Sequence, residues 1–299
     1  MFSEPLVGAG LLGEDHAIET GDGRWLRAMV GGSGPDLVVL EGGLGVSGLY
    51  WGSVHERVAR HARVVAYERA GFNGSDSDPG VRDLARLADD LETVIDRFPC
   101  RRLVLVGHSW GGPIVRAVAA RRVENGRSLS GLVLVDQSDE HADVYFSRLV
   151  GWQFAAQAAL MVPLARLKLL APLSRGSLAG LPGVLRTAAA TASSSINAAR
   201  ATAAEQRHVV RGLSDLRANP PALGDTPVCV LSGALAGALR GKSRAALVQA
   251  HRTTALAHPR WSFVSATRSE HMIPVTEPEL IATNIINFMG VSPTATGTS

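Results

Sequence analysis

The chain has 299 residues, of which 46% are hydrophobic and 19% charged. A chain of that size and balance buries a large core unaided, which excludes a disulfide-stapled mini-domain and a disordered polar chain. The net charge of +3 comes without any basic cluster interleaved with stacking aromatics, so a nucleic-acid partner is not expected.

In chain order, His16–Thr20 and Trp25–Val30 flank Gly21-Asp22-Gly23 and predict a hairpin. Short apolar runs follow at Leu37–Leu40, Val64–Tyr67, Leu103–Val106, Leu132–Val135, Val228–Leu231 and Trp261–Val264. Their apolar character is continuous rather than alternating, which predicts strands buried on both faces of a mostly parallel sheet between helices. With the hairpin, the expectation is an α/β fold with an eight-stranded sheet.

Helical spacing runs through Leu84, Leu87, Ala88, Leu91, Val94, Ile95 and Phe98, and again through Ala245, Leu247, Val248 and Leu256. Thr276-Glu277-Pro278-Glu279 reads as a capping box opening a last helix that stops near Gly290, ahead of a polar, disordered tail over 291–299. Cys100 and Cys229 fall at or in strands and are expected as buried thiols. The first residues lack a charged patch leading into an apolar stretch, and no uncharged apolar run reaches about 18 residues. The expectation is a cytoplasmic protein with no spanning helix.

From Ala142 to Leu223 the strand signals stop, and the sequence turns rich in Ala, Leu and Ser, with breakers at Pro163, Pro172 and Pro182. This predicts a helical cap over 142–223, inserted into a core made of 1–141 and 224–290. An insertion after a strand's C-terminal end sits over the face where open α/β sheets bind ligands. Between Val144 and Ser214 the one acid, Glu205, stands against Arg148, Arg166, Lys168, Arg175, Arg186, Arg200, Arg207 and Arg211. That imbalance fits a solvated helical surface, or a basic lid suited to anionic substrates or to peripheral contact with a membrane.

Directly behind Leu103–Val106 stands Gly107-His108-Ser109-Trp110-Gly111, followed by a helix-permissive stretch from Gly112. A small-X-Ser-X-small turn between strand and helix holds a serine on a sharp bend with Oγ above the sheet. The layout resembles the α/β-hydrolase fold, from the N-terminal hairpin to the last helix. Glu41-Gly42-Gly43-Leu44-Gly45 is similar to the family's His-Gly-Gly-Pro-Gly loop, with Glu41 in place of histidine. Tyr67-Glu68-Arg69-Ala70-Gly71-Phe72-Asn73-Gly74-Ser75 is similar to its Tyr-Asp-Arg-X-Gly-X-Gly-X-Ser segment, and Ser269-Glu270-His271-Met272-Ile273-Pro274 to its Gly-His-Met-Ile-Pro loop.

The resemblance implies a serine nucleophile, Ser109, and a base, His271, which lies just after the last strand. An unactivated hydroxyl needs such a base at neutral pH. His16, His55, His61, His141, His208, His251 and His258 read as surface residues. After the seventh strand, where many relatives carry the acid, Ser232-Gly233-Ala234-Leu235-Ala236-Gly237 has none. The family's second arrangement puts the acid after the sixth strand, at Asp136, with Asp139 and Glu140 as rivals.

The N–H groups of Gly43 and Trp110 are the expected oxyanion donors. Leu149, Trp152, Phe154, Leu160, Met161 and Leu164 are candidates for an apolar acyl site or for plain helix packing. No Gly-Lys-Ser/Thr follows the glycine loop, so no nucleotide is expected, and neither a cofactor nor a metal is.

The implied activity is cleavage of a hydrophobic or anionic carboxylic ester. Alternatives are a thioesterase, lactonase, carbon–carbon hydrolase, acyltransferase or cofactor-free haloperoxidase on the same triad, or a non-catalytic binding protein of the same fold.

Overall fold

A computed structural model describes residues 5–235 and 241–290. The tail over 291–299 and the stretch 236–240 lie outside the described residues. The strands are β1 (Glu14–Glu19), β2 (Trp25–Gly31), β3 (Asp36–Glu41), β4 (Arg63–Tyr67), β5 (Arg102–His108), β6 (Gly131–Val135), β7 (Val228–Gly233) and β8 (Trp261–Ala266). They form one sheet in the order β1-β2-β4-β3-β5-β6-β7-β8. The pairs β1–β2 and β2–β4 are antiparallel and the remaining ones parallel.

The helices are α1 (Gly52–Val58), α2 (Leu84–Asp96), α3 (Gly111–Glu124), α4 (Arg148–Arg166), α5 (Leu170–Ser177), α6 (Gly183–Ala192), α7 (Ile196–Ala218), α8 (Gly241–Leu256), α9 (Ile273–Thr276) and α10 (Pro278–Phe288). Alternate side chains of the central strands enter two cores. Val38, Leu40, Val104 and Val106 pack with α1 and α10, whereas Leu37, Val39, Leu103 and Leu105 pack with α2 and α3. Burial on both faces is why these strands read as unbroken apolar runs.

Helices α4 to α7 lie between β6 and β7, as the loss of strand signals predicts. Helix α7 packs on the ends of the strands through small residues. A Cβ added at Gly45 would lie 2.9 Å from Thr202, one at Gly71 would lie 2.9 Å from Ala201, and one at Gly212 would lie 2.8 Å from the Trp110 indole.

Four local expectations are corrected. Cys100 is exposed in the turn after α2, and only Cys229 is buried. Pro163 does not end a helix but sits inside α4 on its solvent side. Helix α8 exists, but it buries Ala250, His251, Thr254 and Ala255, while Ala245 and Leu256 are exposed. Thr276 does not cap α10: it closes α9 by bonding Met272 O, and the Glu277 carboxylate accepts from Arg268 N and Ser269 Oγ instead.

Candidate active site

The turn between β5 and α3 is sharp because its glycines permit it. A Cβ on Gly107 would come 2.4 Å from Gly111 O, and one on Gly111 would come 2.6 Å from Gly42 O. Between them Ser109 adopts φ +53°, a left-handed conformation that costs a non-glycine residue about 1–3 kcal/mol. The surrounding backbone holds it there: Ser109 N donates to Val135 O at 3.0 Å, and Ser109 O accepts from Gly112 N at 3.1 Å and Ser138 N at 2.9 Å. Asp136, the first residue after β6, is also left-handed at φ +40°. Its N–H donates to Leu231 O at 2.7 Å.

His271, in the loop after β8, meets Asp136 with Nδ1 2.7 Å from Oδ2. The Asp136 carboxylate is fully buried and collects three further donors. Arg244 Nη1 reaches Oδ2 and Nη2 reaches Oδ1, each at 2.8 Å, and Gly233 N reaches Oδ1 at 2.9 Å. Burial pushes its pKa up, but the hydrogen bond and charge of His271, aided by His251 and Arg244, outweigh it and hold the group well below the usual carboxylate range. A carboxylate on Nδ1 keeps that proton in place and leaves Nε2 to face the cavity chemistry.

Beneath His271 lies His108, with ring centroids 4.7 Å apart. His108 Nε2 donates to His271 O at 3.0 Å, while Tyr50 OH donates to Nδ1 at 3.1 Å. Burial, and then the charge of His271, lower the His108 pKa to about 3, so this ring is a neutral prop for the backbone of His271.

The rival acids are committed elsewhere. Asp139 accepts from Gln137 Nε2 at 2.8 Å and Thr254 Oγ1 at 2.6 Å, and Glu140 forms a two-bond pair with Arg116 at 2.6 and 2.7 Å. Neither bonds His271.

Ser109 and His271 line one cavity of about 360 Å³ with Leu44, Trp110, Tyr145, Val150, Phe154 and Arg244 among its walls. Larger clefts of about 590 and 850 Å³ hold neither residue, so chemistry rather than size selects this cavity. No hydrogen bond joins Ser109 Oγ to His271 among the described residues, a looseness common in unliganded sites.

Trp110 precedes α3 and lines the cavity. Gly43 lies against Ser109, but its N–H faces Tyr50 OH at 3.3 Å, and its neighbour Leu44 supplies the cavity wall. The loop is held from below by Arg69, which donates to Gly42 O at 2.8 Å, to Gly43 O, and to Glu41 Oε1 at 2.7 Å. Glu41, in the place of the family's histidine, thus anchors the arginine that sets the loop. Burial pushes the pKa of Glu41 up, against the opposing pull of Arg69 and Tyr67.

Of the six cap residues that are candidates for an acyl site or for helix packing, only Phe154 lines the cavity. Leu149, Trp152 and Leu160 point outward, and Met161 and Leu164 pack with Ala165, Leu170 and Ala199. Two histidines expected at the surface are buried. His55, on the inner side of α1, packs against Gly31 of β2, and His251 bonds Ser232 Oγ at 2.7 Å and Gln137 O at 2.8 Å, with Nδ1 3.9 Å from Asp136. Arg244 gave no signal in the sequence, because nothing local distinguishes it from neighbouring surface arginines.

A family model described as the alpha/beta hydrolase fold matches residues 35–179. Among curated relatives, a protein of Rhizobium rhizogenes provisionally named carbamate hydrolase RutD is 31% identical over 109 residues, which is 35% of this chain and 40% of that protein. The chain therefore spans less than half the length of this relative. Among solved structures, a thermophilic esterase from Thermogutta terrifontis superposes with TM-score 0.67 at 21% identity, covering 93% of this chain and 98% of that one. A provisionally named epoxide hydrolase of Pseudomonas aeruginosa gives TM-score 0.68 at 19% identity, over 96% and 98%. The family match, these two likenesses of fold and the eight-stranded sheet with its serine turn agree: the chain has the α/β-hydrolase fold.

Proposed function

We propose that the protein is a serine hydrolase that cleaves a hydrophobic carboxylic ester through an acyl-enzyme. The observation carrying this reading is the 2.7 Å bond from His271 to buried Asp136, with His271 and Ser109 on the wall of one largely apolar cavity.

Ser109 Oγ attacks the carbonyl carbon as its proton passes to His271 Nε2, and the carbonyl electrons move onto oxygen. Trp110 N–H receives that oxyanion, joined by Gly43 N–H once it exchanges the Tyr50 hydroxyl for the stronger acceptor. Collapse expels the alcohol, which takes the proton from His271. Water then attacks the acyl-enzyme by the same route, returning Ser109 and releasing the acid. Asp136 keeps His271 in the tautomer this needs and offsets its positive charge. Arg244 is a positioning residue that keeps Asp136 ionised and aligned. The insertion over 142–223 acts as the cap, giving Val150, Phe154 and Val209 to the cavity.

A carbamate is the second reading, favoured by the name of the Rhizobium relative, since the same attack serves a carbamate carbonyl. The serine at the turn speaks against epoxide opening, which in the family resembled here uses an aspartate nucleophile. A panel of p-nitrophenyl acyl esters and matching carbamates tests the reading. Ester turnover in the wild type, abolished in Ser109→Ala, is expected. Faster turnover of carbamates transfers the assignment to them, and no turnover of either by folded protein points to a binding protein.

A further inference from the structure

We infer that the outward face of α4 and α5 is a docking surface for an anionic lipid bilayer. Every residue between Arg148 and Arg166 is uncharged, although α4 lies on the outside of the molecule. Its inner stripe, Val150, Phe154, Ala158, Met161 and Ala165, packs toward α7 and the cavity. Its outer stripe continues the apolar character into solvent, with Leu149 68%, Trp152 79% and Leu160 54% exposed. Leu167, Leu169 and Leu173 extend the patch onto α5. An uncovered apolar area of this kind marks an interaction site rather than an ordinary surface. The axes of α4 and α5 meet at 114°, which suits two helices lying along an interface rather than one straight span.

Charge selects the occupant. Arg148, Arg166, Lys168 and Arg175 are exposed around the patch, and the one acid from Val144 to Ser214, Glu205, is buried against Arg69 and Arg82. Two copies meeting through this face would oppose like-charged rims across their two-fold axis. Anionic headgroups complement the same rim, and a largely exposed tryptophan suits the boundary between headgroups and acyl chains. Resting on the proposed hydrolysis, the docked face would put the cavity wall formed by Val150 and Phe154 one helix diameter from the lipid, so that a membrane-dissolved ester is the substrate class.

Co-sedimentation of the full chain with vesicles of phosphatidylcholine alone, or mixed with phosphatidylglycerol, tests the surface. Wild type is expected to bind the mixed vesicles at least tenfold more strongly and to release them at high salt. Trp152→Ser/Leu160→Ser and Arg166→Glu/Lys168→Glu should each lose this binding while keeping the wild-type thermal unfolding. Ser109→Ala should bind like wild type, so a failed hydrolysis assay leaves the docking result readable. Absent binding by wild type, or binding unchanged in both variants, would overturn the proposal. So would a solution dimer split by Trp152→Ser/Leu160→Ser, which would assign the face to a second copy.

Discussion

Helices α4 and α7 pack against each other, yet they place polar groups by opposite rules. Helix α7 buries Thr202, Glu205 and Gln206, and Glu205 lies 3.0 Å from Arg69 and 2.7 Å from Arg82. Arg69 also grips the Gly42 and Gly43 carbonyls, so the single acid of the basic stretch ties the insertion to the loop beside Ser109. Helix α4 carries no charge between its terminal arginines, Arg148 and Arg166, and turns leucines and a tryptophan to solvent. One helix is fixed in place by buried charge, whereas the other is left smooth and greasy. The eight-to-one charge imbalance is therefore two separate features: a buried anchor and a cationic rim.

The sharpest separation of the proposed catalytic residues from the outer insertion is Asp136→Asn. It should lower ester kcat/KM by about 10⁴-fold through the wrong imidazole tautomer, while vesicle binding stays at the wild-type level. Because Asp136 also pairs with Arg244, unfolding in urea is measured alongside, with Ser109→Ala as the inactive variant that keeps the pair.

Next in size, Glu205→Gln leaves Arg69 and Arg82 short of a buried partner and should destabilise by about 3–5 kcal/mol. Leu160→Ser on α4 should stay within about 0.5 kcal/mol of wild type. Equal losses at the two positions in urea would erase the contrast between the helices.

A smaller effect is expected from Arg244→Gln. Groups around His271 are Asp136, Arg244, His108, neighbouring Glu270 and, through Asp136, His251. The arginine supplies two of the donors that hold the Asp136 carboxylate in line with His271, so its loss should lower ester kcat by about tenfold with KM little changed. An unchanged kcat with lowered stability would leave Arg244 a purely structural role.

The most gradual effect, absent at neutral pH, concerns His55 in the core, whose pKa burial lowers from 6.5 to about 4. The unfolded chain binds that proton first. The stability held by the neutral ring is therefore complete above about pH 6.5 and is lost as pH falls toward 4, at no more than about 1.4 kcal/mol per pH unit. His55→Gln should flatten the fall of the urea midpoint across that window. Identical slopes would remove His55 from the acid response.

The strands were legible because burial on both faces leaves an unbroken apolar run, and the serine turn because its glycines have no substitute at 2.4–2.6 Å approaches. Asp136 was legible as an acid at a strand's end, a position that fixes direction before any packing is known. Arg244 was not, since its role comes from α8 folding back over β7, far from Asp136 in sequence. The six apolar residues of α4 leave cavity lining and helix packing undecided in the sequence for a related reason. When both faces of a helix are apolar, spacing identifies two stripes but not which one turns inward. His55 and His251 show the same limit, because burial of a neutral imidazole leaves no periodic trace.

The reading of the site stands on Ser109 as a nucleophile, and intact-mass measurement after incubation with a fluorophosphonate probes it most directly. One adduct per chain is expected on wild type, mapped to the peptide carrying Ser109, and none on Ser109→Ala. A folded wild type that takes up no probe, or an adduct that persists in Ser109→Ala, would contradict it.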